Sequence, residues 1–563
     1  MTTSEQWAAL NAFDMNGITD EVARQGFRLL LNLVEDQAQE LRAVRDENQR
    51  LRDEIARLKG TPRRPPLPPP PSAPPPTLSS EAERHTPQPH TKAPKRDRIV
   101  VDRQELLRVD PATLPPDAVF KGYEEVVVQD LVCHTDNICF RKEVFYSPRE
   151  QRSIRAPLPP GYAGEFGPGL KALSLVLYYG GLMSEPKIAE FLSNVGIIIA
   201  QGQVATLLIH GQEGFHAEKD AVYAAGLRSS PWHGTDDTAT TVDGELQHCH
   251  IVSNPLYTLY QTHPAKDRLT IVDVLCNGAP RQFLLNDAAL EYLAQLGGSR
   301  KLRARLGSLP RDAVLGEAVV DEWLAEQEPP LGPQQGRWVK DRLAIAAYRA
   351  QDDWPVVELL LSDAARQSGG VTAEHALCWV HEGRHYKKLV PLLAAHQELL
   401  TGFLGEFWAY YRELRAYQEA PTAAEQACLA GEFDRLFSRV TGYGALDERI
   451  AKTRAKKAAL LAVLTHPEVP LHNNDCELGA RGRVRKRDVS FGPRTAAGVA
   501  AGDTFQSLVA TTTKLGVSFY EYVQDRVRGT RVIPPLAEVL EIRAQDRDLG
   551  ASWRTPENPV LLY

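Results

Sequence analysis

Residues 231–268 read PWHGTDDTATTVDGELQHCHIVSNPLYTLYQTHPAKDR. Two runs within them, around Leu246–Val252 and Leu256–His263, have the alternation and the β-branched and aromatic content of strands. Asp236 and Asp237 end a short segment just ahead of these runs, so an acidic pair opens what reads as an antiparallel meander. A turn rich in Asp and Thr is the alternative reading of the same residues.

Downstream, Arg268–Cys276 has a helical pattern, Arg281–Leu285 is a strand-like run leading to Asp287, and a largely helical stretch extends to about Ala350. WPVVELLLSDAARQ (354–367) then supplies a continuous apolar run ending at Asp363. Such a run suits a buried parallel strand, and the carboxyl end of a parallel strand is where α/β proteins place site residues. LCWVHEGRHYKKL (377–389) follows, with Cys378 and His381 three apart but without the second pair that a structural zinc site needs. Leu389–Val463 is helical in pattern until Pro467 and Pro470 halt it.

The next stretch, LHNNDCELGARGRVRKRDVSFGPR (471–494), sets a lone carboxylate, Glu477, ahead of Arg481, Arg483, Arg485, Lys486 and Arg487. Carboxylate oxygens hold Mg²⁺ and cations take phosphates, so the stretch suits a metal site beside a nucleic-acid backbone. The bland reading is a solvated basic helix. Gly479 and Gly482 weaken a straight helix here, which leaves the arginines on a helix or on a loop.

Upstream, Gly169–Gly181, Ser184–Asn194, a turn at Gly196 and Ala200–Ile209 match a helix-turn-helix, with Gln201, Gln203 and Thr206 opening the second helix. Residues 99–165 read as a small β-rich unit, with two strand-like runs around Cys133, His134 and Cys139. The spacing of those cysteines counts against zinc, and a hairpin with two buried thiols is expected. Residues 61–98 are dominated by proline, an extended spacer. From Phe27 to Leu58 a heptad repeat places Phe27, Val34, Leu41, Asn48 and Ile55 at one core position and Leu30, Gln37, Val44, Leu51 and Leu58 at the other. It reads as a self-associating coiled coil, the alternative being an amphipathic helix packed on its own protein.

The 563 residues exceed one core, and their 43% hydrophobic and 24% charged content is that of globular protein. A net charge of −7 excludes a polycation, so any nucleic-acid contact must come from local basic patches. Seven scattered cysteines give no disulfide framework. With no signal peptide or membrane span in evidence, a cytoplasmic protein is expected.

Taken in order, the zipper, the cysteine-bearing unit, the helix-turn-helix, Asp236-Asp237-Thr238, the strand ending in Asp363, CWVHEGRHY and NNDCELGARGRVRKRDVSFG resemble the insertion sequence 66 family of bacterial DDE transposases. The similarity covers roughly residues 20–530. The resemblance implies an α/β fold: a ribonuclease-H-like catalytic core with helical insertions, preceded by a coiled coil, a small β-rich unit and a helix-turn-helix. The implied layout is a coiled coil at 1–60, a linker at 61–98, a degenerate zinc-finger-like β unit at 99–165 and the helix-turn-helix region at 166–228. The catalytic domain spans 229–530 and a tail 531–563.

Carried over, the catalytic and metal-binding residues are Asp236, Asp363 and Glu477, holding two Mg²⁺ (or Mn²⁺) ions, with no zinc expected. Asp287 is the alternative second acid; Asp363 is preferred because the CWVH string follows it at the family's spacing. DNA contacts fall to His381, Arg384, Arg481, Arg485, Lys486, Arg487 and Gln203. The implied activity is cleavage and strand transfer of insertion-sequence ends, on double-stranded DNA, by a self-associated protein away from membranes and on the nucleoid when DNA-bound. The competing readings are a silent or domesticated dimeric DNA-binding protein, and a nuclease that cuts without joining.

Overall fold

The computed structural model describes residues 18–58, 99–162, 164–295, 299–365 and 367–554. The proline-rich spacer lies outside them. The chain is mixed α/β, organised on one five-stranded sheet. A hairpin, β1 (Val144–Ser147) and β2 (Arg152–Arg155), precedes it. The sheet consists of β3 (Trp232–Val242), β4 (Glu245–Asn254), β5 (Tyr257–His263), β8 (Leu359–Ser362) and β9 (Glu374–Leu377), in the order β5-β4-β3-β8-β9. A separate two-stranded sheet pairs β6 (Gln282–Leu284) with β7 (Val314–Gly316).

The predicted meander forms, but the acidic pair lies inside its first strand rather than at the end of a shorter segment: Asp236 faces Ile251 across β3–β4. β3 then pairs in parallel with β8, Trp232 to Leu359 and Gly234 to Leu361, and β8 in parallel with β9. Parallel strands covered on both faces are apolar throughout, and Leu359, Leu360 and Leu361 are all at most 1% exposed.

The helices are α1 (Glu21–Leu58), α2 (Pro168–Leu175), α3 (Glu185–Asn194), α4 (Gln201–Ile209) and α5 (Glu213–Arg228) ahead of the sheet. Between β5 and β8 come α6 (Arg268–Leu275), α7 (Asp287–Gln295), α8 (Arg300–Arg305), α9 (Glu317–Ala325) and α10 (Pro333–Ala350). After β9 come α11 (Trp379–Lys387), α12 (Ala394–Glu419), α13 (Ala423–Leu436), α14 (Gly444–Arg454), α15 (Lys457–Leu460) and α16 (Ala462–Thr465). The chain continues through α17 (Asn474–Ser490), α18 (Ala496–Leu515), α19 (Phe519–Arg528) and α20 (Leu536–Gln545). The helices α11–α16 build their own aromatic core around Trp379, Phe407, Tyr411 and Phe433.

The outer edge of β5 is closed by α18. Thr258, Tyr260 and Thr262 donate their backbone N–H groups to Thr511 Oγ1 (3.3 Å), Ser507 Oγ (2.9 Å) and Asp503 Oδ2 (2.7 Å). Alternate strand residues lie roughly 6.6 Å apart and helix residues four apart lie about 6 Å apart, so the two rows match. An edge that would otherwise template aggregation is thereby satisfied.

Three expectations change. Of the runs around Cys133 and Cys139, the first forms no strand and the second does so only at its end, in β1; Val126, Val128, Leu131 and Val132 are 77–83% exposed, and both cysteines are exposed rather than buried. β-type composition without a partner strand or a covering layer does not make a sheet. The region after residue 531 is no surface tail, since α20 packs on α5 and buries Leu536 and Leu540 completely. On α1, Asn32 bonds Gly442 and Gly444, and Glu35 is buried against His396 and the Leu392 N–H. The helix therefore does pack on its own protein at one point, while Leu30, Leu41, Val44, Leu51 and Ile55 stay 50–56% exposed.

Candidate active site

The β3–β8 ladder ends at the pair Gly234 and Leu361. Asp236 and Asp363 each lie two residues further on, so they stand level on neighbouring strands, Asp236 within β3 and Asp363 just past the carboxyl end of β8, where strand spacing is about 4.8 Å. Both line one shallow cleft together with Asp237, His250, Ser362 and Gln367. Asp363 is fixed by the turn that follows it, its Oδ1 accepting from Ala365 N at 3.0 Å. Burial, and then the negative charges of Asp363, Asp237 and Glu477, push the Asp236 carboxyl up to about 7, against a bond from the Asp237 N–H that lowers it.

Glu477 reaches this cluster because α17 lies directly on β3 and β4. Asn473 Nδ2 donates to the Thr235 carbonyl at 2.7 Å, and Tyr260 Oη donates to the Gly479 carbonyl at 3.1 Å. Only glycine allows that approach at position 234, where a Cβ would stand 2.6 Å from Asn473 Oδ1 and 2.9 Å from Cys476 Sγ. Despite Gly479 and Gly482, α17 runs unbroken through both.

The segment ahead of α17 is stitched to the start of α11: Trp379 N donates to the Leu471 carbonyl (2.9 Å) and Asn473 N to Cys378 Sγ (3.4 Å). His381 and Arg384, three apart and so on one helix face, meet Glu477 from the side. Arg384 Nη2 lies 3.1 Å from Glu477 Oε2, His381 Nδ1 3.6 Å from Oε1 and Arg481 Nη2 3.8 Å from Oε2. Arg384, expected to contact DNA, is thus engaged with the acid.

Two donor sets share Glu477. The three carboxylates are hard oxygen ligands and fit Mg²⁺ or Mn²⁺. Cys378, His381 and Glu477 each offer an atom within 4.8 Å of the others, a set better suited to zinc. The sequence could not show the second set, because its glutamate lies a hundred residues beyond the Cys-x-x-His string.

Asp287 does not join the site. It opens α7 just after β6, a strand of the separate β6–β7 sheet, its side chain is 95% exposed, and it pairs with Arg311. Of the basic run, Arg481 and Arg485 are exposed, and Arg487 donates to the Ala239 carbonyl at 2.5 Å. Lys486, expected on phosphate, points inward instead: it is 7% exposed, donates to the Tyr178 carbonyl at 2.7 Å and lies over the Tyr178 ring. Gln203 is exposed on α4, where its side chain accepts from Ala200 N. Asn473, 2% exposed, is a positioning residue that sequence reading passed over within the NND string.

Residues 351–501 match the model of the transposase IS66 family, a span that holds Asp363, His381, Glu477 and the basic run. Over 329 residues the chain is also 30% identical to the uncharacterized protein y4jO of Sinorhizobium fredii (strain NBRC 101917 / NGR234), covering 57% of this chain and 99% of that protein. The chain belongs to the IS66 transposase family. Its IS66 match begins after β3, so Asp236 enters the site on geometry rather than on the family model. No helix among the described residues is long and apolar enough to cross a membrane.

Proposed function

We propose that the protein is a DDE-type transposase that cleaves insertion-sequence ends and joins them to target DNA. The carrying observation is the level placement of Asp236 and Asp363 on adjacent parallel strands with Glu477 brought against them by α17. The sheet, three antiparallel strands followed by two parallel ones, supports a ribonuclease-H-like core. Helices 268–350 and 379–465 read as its insertions and 168–228 as the helix-turn-helix region.

Two Mg²⁺ ions held by Asp236, Asp363 and Glu477 would supply Lewis-acid activation of a water or 3′-hydroxyl and neutralise charge on the scissile phosphate. The chain's own contributions are positional. Arg384 and His381 fix the Glu477 carboxylate. Arg481, Arg485 and Arg487 follow one another along α17 and hold the flanking phosphates without reading sequence. Gln201, Gln203 and Thr206, exposed on α4, face the DNA ends. The bare apolar stripe on α1 pairs two subunits, one per transposon end.

The test is a strand-transfer assay with Mg²⁺ on DNA carrying the element's ends. Joined product supports the proposal. Cleavage without joining makes the protein a nuclease, and binding alone makes it a DNA-binding regulator.

A further inference from the structure

At the end of α17 the backbone does something that an aromatic residue rarely does. Phe491 caps the helix in the left-handed region, φ 58°, and the residue is 86% exposed. A bulky side chain at positive φ is strained, and such strain persists where the surroundings impose it. The surroundings here are the far end of β3. Phe491 N donates to the Arg487 carbonyl at 2.8 Å, and Asp243 N to the Pro493 carbonyl at 3.1 Å. Gly492, φ 89°, lies so close to β3 that a Cβ would stand 2.5 Å from the Thr241 carbonyl. The turn is therefore clamped to the sheet, and the clamp presents the phenyl ring to solvent.

Behind the ring lies a cavity of about 540 Å³ between α17 and the helix-turn-helix region. Its wall includes Tyr178, Gln201, Arg494 and Lys486, whose ammonium sits 3.1 Å from the Tyr178 ring centroid. Glu185 also lines it and faces Lys486. Flat aromatic surface, hydrogen-bonding side chains and a cationic rim are the complement of a nucleobase on its phosphodiester chain. Arg485 and Arg494, both exposed, lie on either side of Phe491 in the sequence. Fourteen residues of α17 separate Phe491 from Glu477, about 21 Å along the helix, or roughly six base-pair steps at about 3.4 Å each.

We propose that Phe491 is a stacking wedge that opens the DNA about half a helical turn from the acidic cluster, and that the adjoining cavity receives the displaced nucleobase. The inference rests on the DNA-acting function above and adds a base-contacting site to it. Apolar wedges of this kind insert between base steps and unstack them. A strained, solvent-facing phenyl ring has a use there that it lacks in a phosphate-only contact.

The test uses the full chain with a duplex of mixed sequence in EDTA, read by equilibrium binding across a salt series and by tryptophan emission. Phe491→Ala and Phe491→Leu should melt like the parent, because the ring contributes almost nothing to the core. Phe491→Ala should weaken duplex binding roughly tenfold, and Phe491→Leu, which keeps an apolar side chain but no stacking face, by less, with the slope of affinity against salt unchanged in both. Phe491→Trp should retain affinity, and its added emission should be quenched by DNA. Parent-like binding by both truncations, with emission indifferent to DNA, overturns the wedge and leaves the DNA-acting function standing. A parent protein that binds no duplex overturns both. A change in the sedimentation of DNA-free Phe491→Ala assigns the ring to a protein interface and also overturns the wedge.

Discussion

Arg384 Nη2 stands 3.1 Å from Glu477 Oε2, joining α11, the helix after β9, to α17. Glu477 is 7% exposed, and Arg384 stands beside its carboxylate where water has little access. Arg384→Gln should lower metal-free stability by about 1–3 kcal/mol, the cost of losing a charge-assisted partner to a buried carboxylate. Arg384→Lys should recover part of it. Denaturant midpoints in EDTA check this; no change in either variant would show that the pair is incidental.

The pH dependence follows from Asp236. Its carboxyl lies at about 7 in the folded chain against an ordinary 3.8, chiefly through burial. The folded state holds this proton more tightly than the unfolded state. The associated stability is therefore complete below about pH 4 and is lost as pH rises through about 7. Asp236→Asn should accordingly stabilise the metal-free protein by up to a few kcal/mol at pH 8 and hardly at all at pH 4. Mg²⁺ should raise the wild-type Tm at pH 8 and leave the variant unmoved. Thermal melts at the two pH values, with and without Mg²⁺, provide the comparison.

Gly234→Ala should break the site from behind. Its methyl group would meet Asn473 Oδ1 and Cys476 Sγ, so α17 must lift from β3. Overpacking of this kind costs about 1–3 kcal/mol, and Glu477 should move away from the aspartates with the helix. Loss of joining activity with a modest fall in Tm is expected; full activity would mean that α17 can shift without consequence.

The basic run should divide by face. Arg485→Gln should reduce the slope of log affinity for DNA against log salt by about one. Lys486→Met should leave that slope unchanged, because the ammonium is buried over Tyr178. Titrations across a salt series would sink this division if both variants behaved alike.

Leu41→Lys with Leu51→Lys should convert a self-associated protein to monomers, since both side chains are more than half exposed on α1. Sedimentation equilibrium reads the mass directly. An unchanged mass would place subunit pairing elsewhere.

Much of the site was legible in sequence for physical reasons. The meander announces itself by alternation, and β8 by an apolar run that ends in an acid. Other parts were hidden because they depend on partners far along the chain. The charge run 481–487 looks uniform, yet Arg483 and Lys486, three apart, share the inward face. Arg483 there meets Asp503 and Gln506. Asp503, Ser507 and Thr511 are mid-helix polar residues whose purpose appears only beside the open edge of β5. Val126, Val128 and Leu131 show the reverse case, strand-like residues that find nothing to pair with. The choice between Asp363 and Asp287 was open in the sequence because each follows a strand; the two strands belong to different sheets.

The most direct test of the three-acid site is Mg²⁺-dependent joining of element ends by Asp363→Asn beside Asp287→Asn, both verified as folded. Abolished joining in Asp363→Asn with activity retained in Asp287→Asn is the predicted result. Retained joining in Asp363→Asn, or its loss in Asp287→Asn alone, would contradict it.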